Sequence, residues 1–216
     1  MRTVLGLVAL AGCVLKGDGE VAADDREVGW FDAIEVFDGF VVEATVRPEL
    51  AAPTLRVEGE ANLQGRLFTE IHGEGVLSLA VDPNEMTEVT VPPRATIEAP
   101  ALRGVFATDR AAVTLAGAGG ELALEAAELA TVAASGLVAA TVEVTARGSS
   151  EVTLAGAGPR VRVDVAEGAR VDASGFAADA AEVTVAGADA EVVVCTTGAA
   201  PAITGEAARV TVRCAG

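Results

Sequence analysis

The chain has 216 residues, 15 Lys+Arg against 32 Asp+Glu, a formal charge of −17, and is 51% apolar but only 3% aromatic. That apolar fraction is too high for a disordered acidic chain, and the length suits one domain with a short appendage. Scattered arginines rule against nucleic acid, which needs a concentrated basic face, and six Phe, one Trp and no Tyr cannot furnish the two aromatic girdles of a transmembrane barrel.

The first twelve residues, MRTVLGLVALAG, place one charge (Arg2) before an apolar run that ends in small residues, and Cys13 follows. These are the parts of an export leader, although twelve residues is short beside the ~15–30 usual for one. Leu10-Ala-Gly-Cys13 resembles the lipobox of bacterial lipoproteins. The resemblance implies cleavage before Cys13 and acylation of its thiol. The competing reading is a buried strand with an incidental Cys. Loss of residues 1–12 removes Arg2 and no acid, taking the charge from −17 to −18. After residue 15 no apolar run approaches the ~18 residues of a spanning helix, so the expected attachment to the membrane is through lipid alone. Residues 13–25, which include Lys16-Gly-Asp-Gly-Glu20, are expected to be the acylated Cys and a polar tether. Val14 is not the Asp that retains some enteric lipoproteins at the inner membrane, so an outer membrane is the expected address.

Residues 26–92 hold five of the seven aromatics, Trp30, Phe31, Phe37, Phe40 and Phe68, and alternating stretches such as Phe40–Val46. This region reads as a bulky N-terminal β cap that starts a stack of strands and protects its first edge.

From about residue 93 a repeat takes over. Val113, Val132, Val152, Val171, Val192 and Val212 are separated by 19, 20, 19, 21 and 20 residues. Val105, Leu124, Val144, Val163, Val183 and Ile203 are separated by 19, 20, 19, 20 and 20. Around them the apolar residues alternate with period two, which is strand patterning, and glycines mark the corners. Repeats of this length cannot bury their own apolar face and must stack. The expected fold is all-β, a parallel β-solenoid of about 20 residues per coil over 93–216. Even Leu122–Val132, rich in helix formers, belongs to it because both ladders pass through it. Counted from residue 26, this predicts about nine coils and a rod of roughly 40–45 Å at ~4.8 Å per strand. Ile203 is expected to be interior.

Cys195 and Cys214 lie 19 residues apart, one period, which puts them one coil apart in one column. A disulfide there would staple the last coil. The alternation Val192/Val194 turns Cys195 outward and Val210/Val212 turns Cys214 inward, so one strand must slip or bend by a residue. The alternative is two unrelated thiols, with Cys214 filling core.

Little in the sequence promises chemistry. His72 is the single histidine and reads as an exposed turn residue without partners. Asp82, Glu85 and Glu88 lack the spacing of a calcium loop. Asp164, Asp172, Glu182 and Asp189 face outward but are dispersed, which reads as a solvated acidic face. No catalytic residue, metal site or cofactor is expected.

The segment Arg26-Glu-Val-Gly-Trp-Phe-Asp-Ala-Ile-Glu-Val-Phe-Asp-Gly-Phe40 resembles the opening of the bacterial family called the putative auto-transporter adhesin, head GIN domain. Leu55–Gly59, Phe68–Ile71, Gly75–Leu79 and Glu88–Pro92 look alike too, so the similarity runs over 26–216. It implies a single-stranded, right-handed β-helix and an envelope protein, often a lipoprotein. The family's Ser-Gly corners are here mostly Ala-Gly, as at Ala116-Gly117 and Ala155-Gly156. Three functions stay open: a non-catalytic adhesin-like lipoprotein that meets a surface glycan or protein, a β-helix that binds or cleaves polysaccharide, and an accessory subunit that docks a partner chain along its edge.

Overall fold

An apolar residue at every second position aims one edge of each strand inward, and a residue pair with positive φ about every 20 residues turns the chain back upon itself. The computed structural model describes residues 14–73, 75–82 and 87–215 and is nearly all β, with 4% helix. It is a parallel β-solenoid of about 5 turns with roughly 20 residues per turn.

The chain enters through β1 (Leu15–Lys16) and β2 (Val21–Arg26), so the stretch expected to be a tether is built into the cap instead. A first coil follows in β3 (Ala33–Val36) and β4 (Val41–Val46). Next come β5 (Thr54–Glu60), a 3-10 segment (Ala61–Arg66) and β6 (Leu67–His72). Then β7 (Val76–Val81), β8 (Thr87–Glu88) and β9 (Arg94–Ala99) complete a second coil. Stacking order departs here from chain order. β7 lies parallel to β3, with Leu77 opposite Ile34, and β9 lies parallel to β4, with Ala95 opposite Val42. Both sit on the side away from the later coils, so the coil made second is the lower one. The lower edges are closed by antiparallel pairing: β6 on β7, β5 on β9 and β2 on β5. Exposed Asp24 and Asp25 on β2 guard that edge against further pairing.

The chain crosses back through residues 100–103 and lays β10 (Gly104–Ala107) on the free edge of β3. Regular coils therefore start at Gly104 rather than near residue 93. They continue through β11 (Ala112–Ala126), β12 (Thr131–Ala146), β13 (Glu151–Ala166) and β14 (Arg170–Ala186). The stack ends with β15 (Glu191–Thr196), β16 (Ala202–Gly205) and β17 (Val210–Val212). Five turns, not nine, are regular, because the cap strands are partly antiparallel and do not follow the 20-residue period. One face is nevertheless ten strands deep, β2-β5-β9-β4-β11-β12-β13-β14-β15-β17. At ~4.8 Å per strand that gives about 43 Å.

Within β12 the chain bends twice, and Val132/Ala134, Leu137/Ala139 and Val142/Val144/Ala146 point inward from three successive sides. The column Ile34–Val105–Leu124–Val144–Val163–Val183 is wholly buried along one side. A corner column holds Ala111, Ala130, Ser150, Ala169 and Ala190, each at most 1% exposed. Rings are rare in so narrow an interior, yet Phe176 is fully buried. The ring has room because Gly158 carries no Cβ, which would lie 3.1 Å from Phe176 Cζ, while Gly156, at positive φ (146°) beneath it, lets the strand pass close to the Leu137 carbonyl.

Two ladder ends differ from the expected register. Ile203 does pair with Val183, but among the described residues no strand pairs on its other side, and it is 37% exposed rather than interior. Val192 pairs with Val210, so Val212 belongs opposite Val194 and is half exposed.

Candidate functional site

The disulfide caps the distal end. Cys195 and Cys214 are bonded, with Cα atoms 4.6 Å apart. Their directions are the reverse of those the alternation suggests: Cys195 is buried and Cys214 exposed. The cause is a register jump, from Ala173 opposite Val194 to Ala177 opposite Cys195, which lets the chain round a corner just before the cysteine. Cys13 lies outside the described residues.

His72 is not a lone turn residue. It closes β6, where its Nε2 lies 3.0 Å from Glu35 Oε2 and 2.9 Å from Ser78 Oγ, while Ser78 donates to the same Glu35 oxygen at 3.1 Å. Ser, His and carboxylate in contact invite a comparison with hydrolytic triads. The geometry does not support it. In a triad the acid holds one ring nitrogen and the nucleophile faces the other, whereas here hydroxyl and carboxylate compete for the same nitrogen. With Ser78 on β7, Glu35 on β3 and His72 on β6, the cluster is a polar rivet across three adjacent strands. The sequence hid it because His72 and Glu35 are 37 residues apart and meet only through the inverted stacking of the cap.

Three outward acids of the coils, Glu151, Asp164 and Glu191, stand beside arginines along the stack. Arg162 lies 3.6 Å from Asp164, and Arg170 reaches Glu191 at 3.2 Å and Glu151 at 4.0 Å, so the exposed faces carry ion pairs along the stack. Asp172 accepts the backbone N–H of Ser174 at 2.9 Å, and the Ser174 hydroxyl together with that N–H holds its carboxyl below the usual range. Glu88 pairs with Lys16 at 3.0 Å and Asp82 lies 3.9 Å from Arg66, while Glu85 falls outside the described residues. Among the described residues no three His, Cys, Asp or Glu are grouped to hold a metal ion.

One corner does concentrate acid. Asp109-Arg110, Glu128-Leu129 and Gly148-Ser149 each adopt positive φ at successive turns. The turns are linked rung to rung, Arg110 N–H to the Glu128 carbonyl (3.2 Å) and Leu129 N–H to that of Gly148 (3.1 Å). This stacks Asp38, Asp109 and Glu128 on one edge. Burial and then the charge of Asp109 push Asp38 up, against a hydrogen bond from Val81 N–H. A hydrogen bond shared with Asp109, and repulsion from it, push Glu128 up.

Glu60 is the opposite case. It is 1% exposed, and its carboxylate accepts the Thr90 hydroxyl and the backbone N–H groups of Gly19 (2.7 Å), Thr90 (2.8 Å) and Val91 (3.3 Å). The Thr90 hydroxyl, with those N–H donors, holds it down at about 2. Four donors to one buried carboxylate make a satisfied charge. Nothing in Gly59-Glu60-Ala61 distinguishes Glu60 from the other acids of the chain.

The chain matches the family model described as "Putative auto-transporter adhesin, head GIN domain" over residues 30–215, and it belongs to that family. Three solved structures are similar over nearly their whole length. A protein described as a putative adhesin from Bacteroides fragilis superposes with a TM-score of 0.77 at 14% identity, covering 92% of this chain and 97% of its own. One from Parabacteroides distasonis, described as a putative lipid binding protein, gives 0.65 at 18% identity, covering 94% and 98%. A putative adhesin from Parabacteroides merdae gives 0.63 at 16% identity, covering 94% and 99%. At these identities the likeness is one of fold. No curated protein matches the chain.

Proposed function

We propose that this member of the head GIN family is a non-catalytic, lipid-anchored protein of the cell envelope whose solenoid serves as an adhesin-like binding body. Family membership points to a cell-surface or envelope location. The observation that carries the finer reading is the joining of Leu10-Ala-Gly-Cys13 to the cap with one residue, Val14, before the first strand begins at Leu15. Acylation at Cys13 would anchor the body without any spanning helix, and among the described residues no helix is long and apolar enough to cross a membrane. Val14 in place of Asp favours the outer membrane. The partner is a surface glycan or protein. Lipid binding, the description carried by the P. distasonis structure, is here assigned to the anchor rather than to a pocket.

Growing cells on an alkyne fatty acid is expected to label the wild type and not Cys13→Ala; equal labelling of both removes the anchor. A glycan array run beside a polysaccharide-cleavage screen on the exported protein addresses the body. Binding without turnover is expected, and sustained release of reducing ends would replace this reading with a hydrolytic one.

A further inference from the structure

The residues that leave Cys13 are clamped rather than loose. Leu15 and Lys16 pair with Thr87 and Glu88, and Gly17 donates its N–H to the Glu88 carbonyl at 2.9 Å. Asn62 grips the strand from both sides: its Nδ2 donates to the Lys16 carbonyl at 2.8 Å and its Oδ1 accepts from Asp18 N–H at 3.2 Å. Glu60 takes Gly19 N–H, and the Glu20 carbonyl accepts Ala61 N–H at 2.6 Å. Gln64 Nε2 holds the Ala22 carbonyl at 2.7 Å, and Arg26 reaches the Leu67 carbonyl at 2.6 Å and Thr69 Oγ1 at 2.8 Å. Gly17 runs so close to the Glu60 carboxylate that any Cβ there would collide with it.

These contacts are a clasp, made by β5 and its 3-10 segment around residues 16–26. We infer that the clasp makes the cap a rigid foot which seats directly on a phospholipid surface, instead of hanging from it by a tether. The inference about the membrane rests on the anchor proposed above; the clasp does not. One residue separates Cys13 from β1, and a chain spans at most ~3.3–3.6 Å per residue, so Leu15 is held within about 7 Å of the acylated backbone. Val14 and Val21, which bracket β1 in the chain, are exposed, 48% and 56%. Asp18, Glu20, Asp24, Asp25 and Glu27 outnumber Lys16 and Arg26, so the foot is negative. It therefore fits a zwitterionic headgroup layer and is repelled by an anionic one.

Both halves are testable on the full chain. In detergent, trypsin is expected to cut after Lys16 at least tenfold faster in Glu60→Gln and in Asn62→Ala than in the wild type. Hydrogen exchange in β12 and β13 should stay unchanged, which shows that the coils remain folded; unchanged cutting in both variants overturns the clasp. For the foot, the acylated protein is placed in phosphatidylethanolamine–phosphatidylcholine vesicles carrying dansyl-labelled lipid. Energy transfer from Trp30, the single tryptophan, is expected to fall at least threefold when twenty Gly/Ser residues are inserted between Cys13 and Val14. Equal transfer overturns the foot while leaving the anchor in place. Mass spectrometry showing unacylated Cys13 overturns the anchor and the foot together, and the Lys16 measurement judges the clasp alone.

Discussion

The cap and the coils solve one problem, burying a narrow stack of strands, by different physics. In the coils each turn copies the one below. The side chains are small and stiff, the corners are rung-to-rung backbone bonds, and each residue's neighbours lie about 20 positions away. In the cap, Glu60, Asn62, Gln64, Arg26 and the His72–Ser78–Glu35 rivet tie together segments 30 to 46 residues apart. Repetition gives the coils interchangeable layers, whereas the cap depends on particular polar groups being satisfied. Coils should therefore fail by position in the stack and the cap by loss of individual hydrogen bonds.

The largest test of that contrast is Val163→Asp. Val163 is fully buried in the middle of its column, and a carboxylate there has no partner, which costs about 3–5 kcal/mol. Chemical denaturation should show that loss, with hydrogen exchange rising in β13 and β14 before the cap. Next in size is the staple. Replacing Cys195 and Cys214 by Ala opens a loop of 19 residues, worth about 3 kcal/mol on the chain-entropy model. Exchange should quicken in β15 and β17 while β3 and β9 keep their protection. Gly156→Ala comes third, at about 2 kcal/mol, since it adds a Cβ against the Leu137 carbonyl at positive φ; thermal melting reads it directly. Ile203→Asp, in the same column as Val163 but at its open end, should cost under about 1 kcal/mol because its carboxylate reaches water. A loss as large as that of Val163→Asp would show that the last coil is covered.

The smallest global effect is that of acid, because its contributions oppose. Glu60 is held at about 2 when folded, below the ordinary 4.5. Its contribution is therefore complete above about pH 4.5 and disappears as pH falls toward 2. Asp38 and Glu128 are raised when folded. The folded state binds their protons more readily, so acidification through their raised values favours it. Between pH 6 and 3 the Gly19 and Thr90 amides should lose protection while the amides of the Asp109 and Glu128 corner gain it. Parallel loss at both sites would contradict the assignment.

Much of the coil region was legible in the chain itself, for a definite reason. A stacked coil repeats its environment every 19–21 residues, so the pattern is written into the order of residues, and Val113–Val132–Val152–Val171–Val192 is the observed ladder. The ends were less legible. A period says which residues align but not whether another layer lies above, and so Ile203 read as core. The Val192–Val210 pairing and the turned Cys195 come from one corner where the register jumps. Such a jump depends on how the backbone rounds the stack.

By itself, then, the sequence determined the all-β class, the 20-residue coil and the pairing of Cys195 with Cys214 across neighbouring turns, since each of these is local or periodic. Only the tertiary structure decided that the coil of β7 and β9 slips beneath that of β3 and β4. It also decided that His72 has partners, that Glu60 is a buried charge, and that residues 15–26 are part of the cap. All four rest on contacts between segments with no common period. No alternation or spacing encodes such contacts, and they exist only once the chain has crossed over itself.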